Sequence, residues 1–149
     1  MERGNMSDKK SKPVIINILM GLVLFQGLSG LAGGIGLVLD PSGQSVQIPI
    51  EWLQGSPFDS YLIPGLVLLI VLGFYPLYLF YGLIKKSSWV WPGTLFLGMA
   101  LLIWIFVEIL VVGYHAEPPL QLIYGMLGLF ISVLALTKTV KQFYKKSNQ

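Results

Sequence analysis

Four long apolar segments constrain this chain more than any other feature of its sequence. Each holds about 20 residues or more, the length that an α-helix needs to cross a hydrocarbon core of about 30 Å. Glu108 is the one formally charged residue within them. The sequence therefore predicts an all-α fold, a four-transmembrane-helix bundle formed by a single integral membrane domain over 1–149. The apolar segments cover residues 14–39, 60–84, 90–113 and 119–137.

The composition supports the membrane interpretation and excludes several kinds of site. Apolar residues make up 54% of the chain and charged residues 11%, whereas about a quarter of an ordinary soluble domain is charged. The chain contains no cysteine and one histidine, so disulfides, thiol catalysis and multi-histidine metal sites are excluded. No nucleophile–base pair or carboxylate pair stands out. We therefore expect no enzyme activity, no cofactor and no metal.

The basic residues predict the orientation of the spans. Lysine and arginine occur near both termini and in the turn at Lys85 and Lys86, but the loops around 40–59 and 114–118 contain none. Under the positive-inside rule, an even number of spans then places both the N-terminus and the C-terminus in the cytoplasm. The positive charge is explained by topology and by anionic lipid headgroups, so we expect no nucleic-acid partner. The predicted helices are 14–39, 57–84, 90–113 and 119–140, with basic tails 1–13 and 141–149.

The long polar loop 40–56 has its own turn and helix signals. Residues 40–43 read Asp-Pro-Ser-Gly, the favoured occupancy of a type I turn. Ser56 with Pro57 and Asp59 predicts a capped helix start. Between them, the segment IPIEWLQ predicts a short helix whose apolar side carries Trp52 and lies in the membrane interface. We expect an ordered outer loop that serves as a lid or docking surface, or else a simple connection.

The loop also carries a family resemblance. The segments LDPSG and SPFDSYLIPG, together with the tryptophan-containing third helix, resemble a family of small, uncharacterised bacterial four-helix integral membrane proteins with a DPSG…PFxDYxxPG-like outer loop. The resemblance extends from the first helix to the fourth. It implies a four-helix fold in a bacterial plasma membrane, and it implies no reaction. In such relatives an amide is more usual at the position of Glu108, so the acid is a departure.

Glu108 is the sharpest local signal, because an ionisable residue within a span is a functional hypothesis by default. It lies about six residues inward from Tyr114, or roughly 9 Å. Gln121 lies at a comparable depth and can hydrogen-bond it, whereas His115 is expected to lie beyond direct contact. The pattern favours a hydrogen bond between the third and fourth helices; the alternative is a proton- or cation-coupled site. The candidate residues for binding a ligand or partner are Trp52, Glu108, His115 and Gln121.

Four further residues are predicted to pack the helices. Gln26 and Ser132 lie at similar depths in the first and fourth helices, so they are plausible hydrogen-bond partners. Gly30 and Gly34 form a GxxxG pair, which permits close backbone approach either inside the bundle or in a homodimer. Pro76 predicts a kink in the second helix.

The sequence favours a non-catalytic multi-pass plasma-membrane protein. In this interpretation it is an accessory or binding protein, whose outer loop and helix surfaces hold a protein or lipid partner within the lipid bilayer. The alternative is a small dimeric proton- or cation-coupled transporter that uses Glu108. The scarcity of polar residues in the inner half of the spans weighs against that alternative.

Overall fold

The computed structural model describes residues 11–147, and all the regular secondary structure of this range is helical. Two short 3₁₀-helices, Gln44–Val46 and Ile50–Leu53, lie in the long loop. The basic residues Arg3, Lys9 and Lys10, from which the orientation was partly predicted, lie outside the described residues. The helices are α1 (Val14–Leu39), α2 (Leu62–Leu69), α3 (Tyr75–Ile84), α4 (Val90–Val112), α5 (Leu120–Leu136) and α6 (Lys138–Lys146).

Three helical segments are long and apolar enough to cross a membrane: α1, the continuous segment Leu62–Ile84, and α4. A fourth span results if α5 and α6, which are bent by 60° relative to each other, are counted together. Large apolar side chains cover the outer surfaces of these helices, and Phe25, Phe74 and Phe106 are each more than half exposed. Such surfaces are unfavourable in water and favourable in lipid, which is consistent with a membrane protein.

The glycines of α1 pack against the second span. A Cβ atom on Gly30 would overlap the carbonyl oxygen of Leu72, and one on Gly34 would lie 2.6 Å from the Cα of Leu69. Both glycines are buried within the chain. Of the two alternatives for the GxxxG pair, the structure therefore uses it for packing inside the chain.

A π-helical turn, Ile70–Phe74, joins α2 to α3 just before Pro76. In an α-helix the N–H of residue 76 would donate to the carbonyl of Leu72, four residues earlier. Proline has no N–H, so that carbonyl lacks its α-helical donor. The side chain of Gln26 supplies a donor instead, with its Nε2 3.1 Å from the Leu72 oxygen. Pro76 thus follows a π-turn within a continuous span, where the sequence predicted a kink.

The structure does not join Gln26 to Ser132. Ser132 donates from its hydroxyl to the carbonyl of Gly128 on its own helix, at 2.8 Å. The same hydroxyl lies against Gly98 of α4, where an added Cβ would overlap it. Ser132 therefore packs at the α4–α5 interface. Its depth in the membrane matches that of Gln26, but its side chain faces α4.

The second span begins later than the predicted 57–84 helix. Ser56 accepts a hydrogen bond from the Phe58 N–H at 3.2 Å, which makes a local turn, and α2 starts at Leu62. The reason lies at Tyr61, whose N–H donates to the carbonyl of Pro41 at 2.9 Å. Because this residue is bound to the loop, helical geometry starts only after it.

The predicted fourth helix, 119–140, is divided at Thr137. This residue is extended, with ψ 144°, and its hydroxyl accepts from the Val140 N–H to start α6. Val140 and Tyr144 are fully buried, since residues four apart share one helix face. Residues 141–146 of the predicted basic tail 141–149 therefore belong to an amphipathic helix that packs on the end of the bundle.

We expect Gly30→Ala to lower the free energy of unfolding by about 1–3 kcal/mol, because the new methyl group forces the Leu72 carbonyl away. Gly21→Ala is the matched control on the same helix, since nothing lies within 4 Å of its added Cβ. Thermal unfolding in detergent measures both variants. Equal melting temperatures for the two would contradict the close approach of α1 to the π-turn.

Candidate functional site

The long loop begins in a turn that ends α1, as its sequence predicts. The Gly43 N–H donates to the Asp40 carbonyl at 3.0 Å. The Asp40 carboxylate accepts from the hydroxyl of Ser42 at 2.5 Å and from the N–H of Ser45 at 2.8 Å. These hydrogen bonds, led by that of the Ser42 hydroxyl, lower the pKa of Asp40. The charged carboxylate thereby holds the first part of the loop.

Tyr61 fastens the other end of the loop. Its side chain is 4% exposed, and its hydroxyl donates to the carbonyl of Pro49 at 2.8 Å. Burial raises the pKa of Tyr61, and the negative charges of Glu51 and Glu108 add to the effect. The hydroxyl therefore stays a donor, and the short helix Ile50–Leu53 is held against the ends of α1 and α4.

Trp52 stacks on His115, with ring centroids 3.7 Å apart and an interplanar angle of 12°. The imidazole Nε2 lies 2.8 Å from the carbonyl oxygen of Val112. Because a carbonyl oxygen only accepts, Nε2 carries the hydrogen in this contact. The stack joins the long loop to the α4–α5 connection, a pairing that the sequence analysis did not make.

Gln121 binds three groups at the same end of the bundle. Its Nε2 donates to Glu108 Oε1 at 3.3 Å and to the carbonyl of Gly113 at 2.9 Å. Its Oε1 accepts from the backbone N–H of His115 at 2.9 Å. The predicted hydrogen bond between Glu108 and Gln121 is confirmed, and His115 joins the site through Gln121.

A cavity of about 360 Å³ lies beneath the loop, between α1, α4 and the start of α5. Trp52, Glu108 and His115 line its outer part, while Gln26 and Leu72 line its inner end. A second cavity of about 190 Å³ lies beside it and shares Trp104 and Glu108. The four predicted binding residues thus line one cavity, since Gln121 also lies on its wall.

One polar atom at the cavity is unpaired. Gln26 is 1% exposed, and its Nε2 is bonded to the Leu72 carbonyl. Its Oε1 is the one buried side-chain oxygen or nitrogen in residues 11–147 with no hydrogen-bond partner. A buried acceptor without a donor is energetically unfavourable, so the inner end of the cavity is suited to a molecule that brings a donor.

The lining of the cavity indicates what it could accommodate. Within the described part of the chain, no group of three or more histidines and carboxylates could hold a metal ion. The cavity instead combines apolar walls with a few polar groups at its two ends, the usual character of a small-molecule site.

No protein-family model, curated protein or solved structure matches this chain. The family resemblance of the loop and helices therefore stays a prediction.

Three features of the site were not predicted: the cavity, the stack of Trp52 on His115 and the position of Trp104 between the two cavities. The need of the Leu72 carbonyl for a donor such as Gln26 had a usable signal in the sequence, since Pro76 lies four residues later and removes its α-helical donor. The stack had none, because it joins a loop residue to a distant connection. A cavity is likewise set by which helix faces meet, and no short motif encodes that.

We expect Gln121→Leu to lower the free energy of unfolding by about 2 kcal/mol, because it leaves the His115 N–H and the Gly113 carbonyl without partners. Gln54→Leu is the control, since it makes the same change at an exposed glutamine in the long loop. Unfolding of both variants in mixed detergent micelles measures the difference. A Gln121 variant as stable as the control would show that the network does not hold α4 to α5.

Proposed function

We propose that this chain is a non-catalytic multi-pass membrane protein that holds a lipid or another amphipathic molecule beneath its long loop. The observation that carries the proposal is the 360 Å³ cavity, with apolar walls and polar groups at its outer and inner ends. Trp52 stacks on His115 and lines this cavity, so its ring contacts the inside of the chain. This supports a ligand inside the chain over a protein docked on the loop.

The packing below the cavity supports binding over transport. Val23, Leu79 and Leu97 are completely buried beyond the cavity's inner end. The hydroxyl groups near that level are bound to the backbone: Thr94 donates to the Val90 carbonyl and Tyr75 donates to the Gly93 carbonyl. A transport path would need polar or hydrated walls across this region, so the arrangement favours a cavity closed at its inner end over the dimeric transporter.

The proposed topology has four spans, with α6 lying along the cytoplasmic surface and the long loop outside. The described lysines support it because they gather at one end: Lys86 lies 5.3 Å from the ring of Phe143, and Lys141 lies 4.9 Å from the ring of Trp91. By the positive-inside rule this end faces the cytoplasm. The resemblance of the loop to bacterial proteins supports a bacterial plasma membrane as the location.

Single cysteines test the topology without background, because the chain has no cysteine. We expect Gln54→Cys, in the long loop, to react with a membrane-impermeant maleimide in intact cells. Ser88→Cys, at the lysine end, should react only after the cells are permeabilised. Both positions are exposed, so the two variants are matched, and the reverse labelling pattern would overturn the proposed orientation.

Filling the cavity tests the binding function. Ser29 lines the cavity, and we expect Ser29→Phe to remove the retained molecule that native mass spectrometry detects on protein extracted from its membrane. Ala32→Phe adds the same side chain to an exposed position of α1 and should leave the bound mass in place. A bound mass that survives in both variants would place the ligand elsewhere, and an empty protein in every case would remove the proposal's support.

A further inference from the structure

Several donors beside the cavity's two polar ends already have partners. At the inner end, Gln26 Nε2 donates to the Leu72 carbonyl and the Ser29 hydroxyl donates to the Gln26 carbonyl. At the outer end, Gln121 Nε2 donates to Glu108 and to Gly113, and the His115 ring N–H faces Val112. A molecule that enters can therefore supply a donor to Gln26 Oε1, which lacks one among the described residues, and to Glu108 at the other end.

The acceptors at these ends differ in charge. Gln26 Oε1 is a neutral amide oxygen, buried and without a partner among the described residues. Glu108 offers a carboxyl group, and of the roughly four acceptor positions of its ionised form the Gln121 amide and the Trp104 side chain occupy two. Within the described chain, no lysine or arginine lines the cavity to balance that carboxylate. The outer end is thus suited to a cation and the inner end to a neutral donor.

An apolar stretch separates the two acceptors. Leu37 of α1 belongs to the apolar cluster against which Val111 and Val112 of α4 pack, so these ends of the two helices lie at about one level. At 1.5 Å per residue, Glu108 lies about 6 Å below this level and Gln26 about 17 Å below it. The wall between them is apolar and aromatic, formed by residues that include Leu68, Leu101, Trp104 and Ile105.

We infer that the cavity takes an elongated amine: a protonated amino group at Glu108, an apolar chain along the wall, and a neutral donor such as a hydroxyl at Gln26. The inference rests on the proposed binding function and names its ligand class. An anionic headgroup would lie against Glu108 without a positive partner, and a plain hydrocarbon would leave Gln26 Oε1 unpaired.

The test titrates four six-carbon probes into the purified protein in phosphatidylcholine nanodiscs, with protein-free nanodiscs as the control for partitioning. The probes are ω-aminohexanol, hexylammonium, hexanol and hexanoate, and calorimetry measures each dissociation constant. We expect aminohexanol to bind about fivefold more tightly than hexylammonium, which lacks the hydroxyl. It should bind about tenfold or more tightly than hexanol, which lacks the charge, and hexanoate should bind most weakly.

Two variants test which group of the ligand lies at which end of the cavity. Glu108→Gln retains an acceptor for Gln121, and we expect it to weaken aminohexanol about tenfold while hexanol is unchanged. Gln26→Met should bring aminohexanol down to the affinity of hexylammonium and leave hexylammonium itself unchanged. Retained hexylammonium binding shows that this variant folds. If it does not fold, the comparison of aminohexanol with hexylammonium on the unaltered protein still tests the inner end.

The outcomes separate the inference from the function on which it rests. Equal affinity for all four probes, or tightest binding of hexanoate, overturns the amine assignment and leaves a binding cavity. Failure of every probe, together with no loss of bound mass in Ser29→Phe, overturns both. Added phosphatidylethanolamine distinguishes the two sources of the amine: competition with aminohexanol identifies a lipid headgroup, absence of competition identifies a free amine, and either result supports the inference.

Discussion

The hydrogen bond from Gln26 to the carbonyl of Leu72 is the interaction on which the rest of this structure depends. Pro76 removes the α-helical donor for that carbonyl, and an unpaired carbonyl inside a membrane costs several kcal/mol. Gln26 supplies the donor, and Gly30 lets the π-turn approach α1 closely. The pairing fixes α1 against the second span. Because the amide nitrogen of Gln26 makes this bond, the amide oxygen is held at the cavity's inner end, where it has no hydrogen-bond partner among the described residues.

The outer end of the bundle is held by a second polar group, centred on Gln121. Its amide joins α4 to α5 through Glu108, and its contact with the backbone of His115 extends to the long loop through Trp52. Between these two polar centres the cavity wall is apolar. Since each polar group within a membrane needs a partner, the few polar side chains of the spans mark both the joints of the fold and the ends of its candidate site.

Two predictions from equal helix depth had different outcomes, and the difference is instructive. Glu108 and Gln121 do pair, because α4 and α5 follow each other across a short connection and therefore pack as antiparallel neighbours. Gln26 and Ser132 lie on helices that are distant in the chain, and their side chains face different partners. Depth can be counted from a sequence, but the direction in which each helix face points depends on the packing of all the helices.

The sequence by itself determined what local chemistry controls: the apolar spans, the Asp40–Gly43 turn, the short helix around Trp52 and the close-packing glycines of α1. Span length follows from hydrocarbon thickness, and turns follow from the geometry of proline and glycine. Only the tertiary structure decided the partner of Gln26, the late start of α2 at Leu62, the bend between α5 and α6, and the cavity itself. These depend on contacts between residues far apart in the chain, whose geometry no local pattern records.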